Sequence, residues 1–460
     1  MFCKGRRTFV IFIAKVVGLF VEMSMERSIE QELKEWKVSR RRKPLLLSGV
    51  RQCGKTYALK EFGRKEFASC CYINFESSSK YREIFEYDFD VERILKEIGF
   101  LEGRNIIPGE TLLIFDEIQE CPKAITSLKY FQENMPELHL ACAGSLLGVE
   151  LKEKNISFPV GKVNRMTMYP LSFKEFLSAM GEEKYINLFS SWPMDRGIPE
   201  LYARPLTDLL KKYYIIGGMP EAVQDFIDHH DYTAVKNIQD DILSDYGNDF
   251  SKHVPLTELE KVRLIWDSVP VQLAKENNKF VFSHVKEGKR AHELESSLQW
   301  LKNAGLIEIL ELVSNPSSPL SAYADKTYFK VYLSDVGLLS RRLGLSYRQI
   351  LEDDISPFKG AITENFVHNE LTKQGKTPYF WRSGNTAELD FLFEEDSSLY
   401  PVEVKSSDNT QAKSYKLFLK KYPVKVGYKF SLKNIGVNEM EGKKTFSLPL
   451  YLIWNMDFYR

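Results

Sequence analysis

Two groups of residues in this sequence have the types and spacing to act on phosphates. The first is Gly49-Val50-Arg51-Gln52-Cys53-Gly54-Lys55-Thr56, a turn framed by glycines and closed by Lys-Thr. Glycines let successive backbone N–H groups wrap a phosphate, and a following helix N-terminus turns partial positive charge toward it. Lys55 would reach the β- and γ-phosphates, and the Thr56 hydroxyl would hold Mg²⁺. Its partner is Leu112-Leu113-Ile114-Phe115-Asp116-Glu117, an apolar run ending in two carboxylates. There Asp116 would hold Mg²⁺ and Glu117 would polarise the water attacking the γ-phosphate. The pair predicts a nucleoside triphosphate site, with ATP and Mg²⁺ as cofactors.

The second group lies far downstream, as Glu364, Asp390, Glu403 and Lys405. Two carboxylates with a lysine suit metal-dependent phosphodiester cleavage. Asp390 and Glu403 would hold Mg²⁺, while Lys405 would orient the water and offset developing charge. A solvated pair of strand ends with no catalysis explains the same residues. The sequence leaves both readings open.

The elements that must position these groups are legible as patterns. Pro44–Leu47 reads as a buried strand feeding the glycine turn, and Tyr57–Phe62 as the helix after it. A second strand is expected at Cys70–Phe75, and a helix at Val91–Phe100. Thr111–Phe115, apolar throughout, suits a central parallel strand whose carboxylates emerge at its C-terminal edge. Leu138–Ala143 is the next strand, ending in Gly144-Ser145, where Ser145 could sense the γ-phosphate. Residues 200–260 are helical in pattern.

Phe280–Ser283 is expected to be a short strand, before a helix at Ala291–Ala304 and strands at Leu306–Val313 and Tyr328–Leu333. Helix plus hairpin predicts a winged helix. Its helix carries Glu293, Glu295 and Lys302, so a protein contact or a purely structural wing fits better than DNA reading. Further on, Ala361–Lys373 reads as a helix carrying Glu364. Alternation along Pro401–Lys405 sets Glu403 and Lys405 on one face, with Asp390 on the paired strand.

Bulk properties bound the rest. Length suggests about three domains, and 43% hydrophobic residues support packed cores. Lys+Arg and Asp+Glu balance at 63 each, so any nucleic-acid surface must be local. One window qualifies: Lys405, Lys413, Lys416, Lys420, Lys421, Lys425, Lys429 and Lys433 face only Glu403 and Asp408. A solvated helix face is the plainer reading of that window. Neither cysteines nor histidines show metal spacing, and a reducing cytoplasm fits. Phe9–Val21 is too short to span a bilayer, at less than the ~20 residues required, so no membrane partner is expected. The segment reads as a leader or a mis-assigned start.

The order of phosphate loop, Asp-Glu strand end and Gly-Ser strand end resembles an AAA-type ATPase core. Met168-Tyr169-Pro170-Leu171-Ser172-Phe173-Lys174-Glu175-Phe176-Leu177 and Gly217-Gly218-Met219-Pro220-Glu221-Ala222 extend the likeness. Together they resemble a prokaryotic group of AAA-type ATPases with a C-terminal domain of unknown function, over about residues 26–455. The resemblance implies a sensor-like Ser145 and an arginine after Gly161. Here that place holds Lys162, with Arg165 three residues on, and Lys is a point charge rather than a planar fork. Glu364…Asp390…Glu403-x-Lys405, with Trp381-Arg382-Ser383 between, resembles the restriction-endonuclease-like superfamily.

The expected fold is α/β: a P-loop NTPase domain with a parallel sheet, a helical and winged-helix middle, and a restriction-endonuclease-like C-terminal α/β domain. Expected bounds are 1–25 for the leader or mis-assigned start, 26–195 for the ATPase domain and 196–265 for a helical lid. The winged-helix-like domain would span 266–345 and the nuclease-like domain 346–460. Expected partners are ATP, DNA or RNA at the C-terminal domain, and a protein at the winged helix; an oligomer is compatible with all of these.

Overall fold

Strand β1 (Leu45–Ser48) sits in a five-stranded parallel sheet with β2 (Ser69–Asn74), β3 (Thr111–Asp116), β4 (His139–Ala143) and β5 (Asn164–Thr167). The order is β2-β3-β4-β1-β5. This is a computed structural model, and it describes residues 25–145, 158–275, 279–286, 291–384, 387–406 and 412–459. The expected leader, apart from Met25, and Asp408 lie outside the described residues. Among those residues, no helix is long and apolar enough to cross a membrane.

Every residue of β3 is buried, as an apolar run between two flanking strands requires. On one side of the sheet Phe75, Phe85, Phe115 and Phe131 close a separate apolar cluster. On the other, a continuous core runs from Leu45 and Leu47 through the middle of the chain to Phe366 and Met456. Burying each such side chain contributes about 1.5–3 kcal/mol. That shared core fixes the regions of the chain against one another.

After two short helices, Phe173–Ala179 and Glu183–Phe189, come four more at Glu200–Ile216, Pro220–His229, Tyr232–His253 and Leu256–Leu273. The Gly217-Gly218 step makes their close approach possible. A Cβ on Gly218 would lie 2.2 Å from the Leu171 carbonyl oxygen, and Leu171 N donates to Gly218 O at 2.7 Å.

Helix Ala291–Asn303 and the antiparallel pair β6 (Ile307–Val313) and β7 (Ala324–Leu333) appear where the sequence places them. The expected strand at Phe280–Ser283 does not form: Phe282–His284 is a turn of 3-10 helix. Phe280 and Phe282 instead pack on Phe329 of β7, with ring centroids 5.6 and 5.9 Å away. Their alternation reports a shared apolar contact rather than a ladder.

The hairpin is not a free wing. β6 pairs with β8 (Tyr379–Ser383), and the eight-stranded order is β12-β13-β11-β10-β9-β8-β6-β7. Its remaining strands are β9 (Ala387–Glu395), β10 (Ser398–Val404), β11 (Val426–Ser431), β12 (Gly436–Met440) and β13 (Lys443–Pro449). Helix Lys359–Lys373 packs against this sheet. Its Phe366 ring lies 6.1 Å from Phe173, 5.9 Å from Tyr213 and 5.4 Å from Tyr214.

Candidate nucleotide site and a second carboxylate cluster

The phosphate loop runs from the end of β1 into helix Lys55–Glu66. Gly49 has φ +152°, and a Cβ there would meet the Met168 carbonyl oxygen at 2.1 Å. Only glycine fits that approach. Gln52 adopts a left-handed backbone at φ +64°, and its amide donates to Asp245 Oδ2 at 2.8 Å. Lys55 is buried and donates to the carbonyls of Gly49 (3.0 Å) and Val50 (2.9 Å). Its ammonium is folded back onto its own loop.

Thr56 Oγ1 donates to Asp116 Oδ2 at 2.9 Å, and the Tyr72 hydroxyl donates to the same oxygen at 2.8 Å. Register explains the meeting: β1 and β3 both flank β4 in parallel, so their C-terminal ends emerge together. Hard oxygens from Thr56 and Asp116 fit Mg²⁺, which would take the place of their hydrogen bond. Glu117 also has a left-handed backbone, at φ +47°, a strained conformation of the kind held at working sites. Burial pushes its carboxyl up, opposed by a hydrogen bond from Gln119 and by the charges of Lys55 and Arg51.

Ser145 is buried at the end of β4. It lines a cavity of about 210 Å³ with Ser48, Gly49, Val50 and Glu308. Lys162 is elsewhere. It precedes β5, whose Asn164 is in register with Leu45 at the start of β1, so it sits at the sheet edge opposite the loop. There its Nζ pairs with Glu133 at 2.9 Å. Arg165 is exposed on β5, stacked on Phe158 at 4.5 Å. The structure does not bring either to Lys55.

The downstream residues do converge. β9 and β10 run antiparallel, with Phe391 opposite Val402. Asp390 Oδ2 accepts the Val404 amide at 2.7 Å, and Lys405 Nζ pairs with Glu403 Oε1 at 2.6 Å. Burial raises the Asp390 carboxyl well above its usual range, reinforced by Glu403 and Glu364. Burial likewise raises Glu403. Burial works against the Lys405 charge, yet Asp390, Glu403 and Glu364 outweigh it and hold the ammonium up.

Glu403 Oε2 is buried without a hydrogen-bond partner, which is the kind of atom a cation satisfies. Among the described residues no group of three or more His, Cys, Asp or Glu side chains is set to hold a metal. A cation here would rest on Asp390 and Glu403, completed by water or phosphate oxygens.

Sequence reasoning missed two members of this cluster. Lys330 and Tyr332, alternate residues of β7, both reach Glu364 Oε2, at 3.4 and 3.0 Å. Lys330 also pairs with Glu388 at 2.7 Å. The signal was present, since a lysine in the apolar run Tyr328–Leu333 must find a carboxylate if buried. Lys416, Lys429 and Lys433 add positive charge beside Lys405. In helix Lys413–Lys421 the buried side is Tyr415, Phe418 and Leu419, leaving Lys413, Lys416, Lys420 and Lys421 exposed.

A family model described as an AAA domain matches residues 41–177. Two models described as domains of unknown function, DUF8612 and DUF4143, match residues 207–349 and 359–451. Over 78 residues, 16% of this chain, the sequence is 40% identical to the uncharacterized protein Rv2008c of Mycobacterium tuberculosis and to Mb2031c of Mycobacterium bovis. That stretch spans only 17% of each relative's length.

The ORC2 protein of Aeropyrum pernix, in ADPNP–ADP complexes, aligns with a TM-score of 0.35 at 12% identity, over 72% of this chain and 93% of that one. AMPPCP-bound DnaA from Aquifex aeolicus aligns with a TM-score of 0.27 at 12% identity, over 60% and 86%. The AAA match covers both the phosphate loop and the strand ending in Asp116, so residues 41–177 are similar to the P-loop domain of AAA-type ATPases.

Proposed function

We propose that the chain is a Mg²⁺-dependent ATPase whose nucleotide state gates the C-terminal domain, which cleaves or holds nucleic acid. The observation that carries the second half is the cluster of Asp390, Glu403 and Lys405, with one carboxylate oxygen unpartnered and lysines around it. Such a set can hold a cation, orient a water and attract a phosphodiester.

In the ATPase site Lys55 binds the β- and γ-phosphates, Glu117 orients the water, and Ser145 faces the γ-phosphate. Thr56 and Asp116 hold Mg²⁺, which neutralises charge on the phosphates when bound.

A continuous set of contacts supports gating. Arg27 donates to the loop carbonyl of Cys53 at 3.1 Å and to Glu175 at 3.2 Å. Glu175 accepts the Ser172 amide at 2.7 Å, and the next amide, Phe173, donates to Glu370 at 3.0 Å. Glu370 and Glu364 share helix Lys359–Lys373, about 9 Å apart along its axis. A shift at the phosphate loop is thereby linked to the helix bearing Glu364.

The test is cleavage of DNA and RNA by the purified chain with Mg²⁺ or Mn²⁺, with and without ATP. Nicking that depends on ATP and disappears in Lys405→Ala supports the proposal. A second reading is favoured by the Lys330–Glu364 pair, which already occupies one carboxylate of the cluster. On that reading the chain is an ATP-dependent switch for a protein partner, and its C-terminal domain is inert. Absence of cleavage with either metal, alongside ATP turnover that Lys55→Ala abolishes, would select it.

A further inference from the structure

Arg51 is the third residue of the phosphate loop, and the loop's grip on phosphate through backbone N–H groups leaves its guanidinium unused. In the structure Arg51 Nη1 bonds Asp249 Oδ1 on helix Tyr232–His253. One face of that helix holds the loop tip: Asp249 takes Arg51, Asp245 takes Gln52, and the Tyr246 hydroxyl donates to the Arg51 carbonyl at 3.3 Å. The ion pair is only partly buried, with side-chain exposures of 34% for Arg51 and 11% for Asp249. Burial pushes the Asp249 carboxyl up, against Arg51, His253 and Lys252. The charge of Arg51 also reaches Glu117, alongside that of Lys55.

We propose that Arg51 is a catalytic residue acting within its own chain: when ATP binds, its guanidinium leaves Asp249 for the γ-phosphate. Asp249 holds it aside until then. This rests on the ATPase reading. In hydrolysis a water oxygen bonds to the γ-phosphorus while the bond to the β–γ bridging oxygen breaks. ADP leaves with that electron pair, and the water proton passes to Glu117. Charge on the γ-phosphoryl oxygens calls for a planar donor fork. Lys162 and Arg165 do not come to Lys55, whereas Arg51 is part of the loop itself. A triphosphate brings several negative charges against one carboxylate whose ionisation burial already disfavours, so the phosphate outcompetes it.

The experiment is ATP turnover by the full chain with Mg²⁺. Arg51→Ala is expected to lower kcat about 10- to 1,000-fold while KM changes less than about threefold. Arg51→Lys should recover little of this, because an ammonium lacks the fork. Added guanidinium ion should restore part of the turnover in Arg51→Ala and none in Lys55→Ala. Asp249→Asn, freeing the arginine, should raise kcat/KM.

Wild-type kcat in Arg51→Ala overturns the inference. So does a loss of kcat in Asp249→Asn as large as that in Arg51→Ala, since the pair would then be a structural clasp. Should Arg51→Ala not fold, Asp249→Asn decides alone: higher kcat/KM supports the role and lower kcat overturns it. A wild-type chain without turnover defeats the ATPase reading itself.

Discussion

The Phe173 amide donates to Glu370 Oε1 at 3.0 Å, joining the segment after β5 to the helix that carries Glu364. Burial raises the Glu370 carboxyl, against the opposing charge of Lys373. Lys373 in turn donates to the Leu171 carbonyl at 3.0 Å. Replacing Glu370 with Ala strands the buried Phe173 amide and takes the carboxylate from beside Lys373, which keeps the Leu171 carbonyl and the Tyr213 hydroxyl, at a cost of about 3 kcal/mol. If this joint transmits nucleotide state, ATP will change hydrogen exchange in helix Lys359–Lys373 of the wild type. In Glu370→Gln, which keeps the shape, that response should shrink. An identical response in both would remove the joint from the gating account.

ATP binding itself is read from heat stability. A ligand that binds only the folded chain stabilises it by about 2.7 kcal/mol at a hundredfold excess over Kd, so Tm rises with ligand concentration. The wild type should show that rise with MgATP. Lys55→Ala should show almost none, and an undiminished rise in the variant would contradict the assignment of Lys55 to the phosphates.

Much of the nucleotide site was legible because it is local. Glycines, Lys55 and Thr56 are adjacent in sequence, and the Asp116-Glu117 pair ends an apolar run that could only be a buried strand. The convergence of Asp390, Glu403 and Lys405 was legible for the same reason, through alternation on neighbouring strands. Lys330 in its apolar run signalled a need for a carboxylate but not which one, since Glu364, which Tyr332 also reaches, lies over thirty residues away and on a different element. Periodicity names a face without naming what packs on it. That limit also explains why the β6–β7 hairpin looked like an independent wing when it edges the C-terminal sheet.

Lys330 makes a sharper test of that composite sheet. It is buried, and Glu364, Tyr332, Glu388 and Asp390 hold its ammonium well above the lysine range despite burial. Lys330→Met removes the buried ammonium shared by Glu364 and Glu388, the latter keeping Arg382 at 3.4 Å, and should cost about 3 kcal/mol. Adding Glu364→Gln should recover part of that loss, so the double variant costs less than the sum of the two. Strict additivity in chemical denaturation would show that the pair is not coupled.

Metal binding at the second cluster has a definite sign with pH. Asp390 and Glu403 are both raised by burial, so their neutral forms favour the folded state. That contribution is complete below the unfolded carboxylate range and is lost as pH rises through their folded values. A divalent cation needs both ionised. Millimolar Mn²⁺ should therefore raise Tm more at pH 8 than at pH 6. Glu403→Gln should remove the difference, while Asp116→Asn should leave it in place. Equal Mn²⁺ effects at both pH values in the wild type would argue against a cation on these carboxylates.

Glu308 offers a titration near neutrality. It lines the cavity beside Gly49 and Ser145, and burial pushes its carboxyl up to about 7, with Lys302 opposing. A carboxyl raised in the folded state stabilises while it is protonated, so its contribution is complete below pH 4.5 and fades as pH rises through about 7. At about 1.4 kcal/mol per pKa unit, ionising it inside the fold costs about 3.5 kcal/mol at most, and about 2 kcal/mol once screening of a part-buried side chain is allowed for. Glu308→Gln should accordingly raise Tm relative to wild type at pH 8 and change it little at pH 5. A gain of equal size at both pH values would mean that shape, not charge, sets the strain beside the phosphate loop.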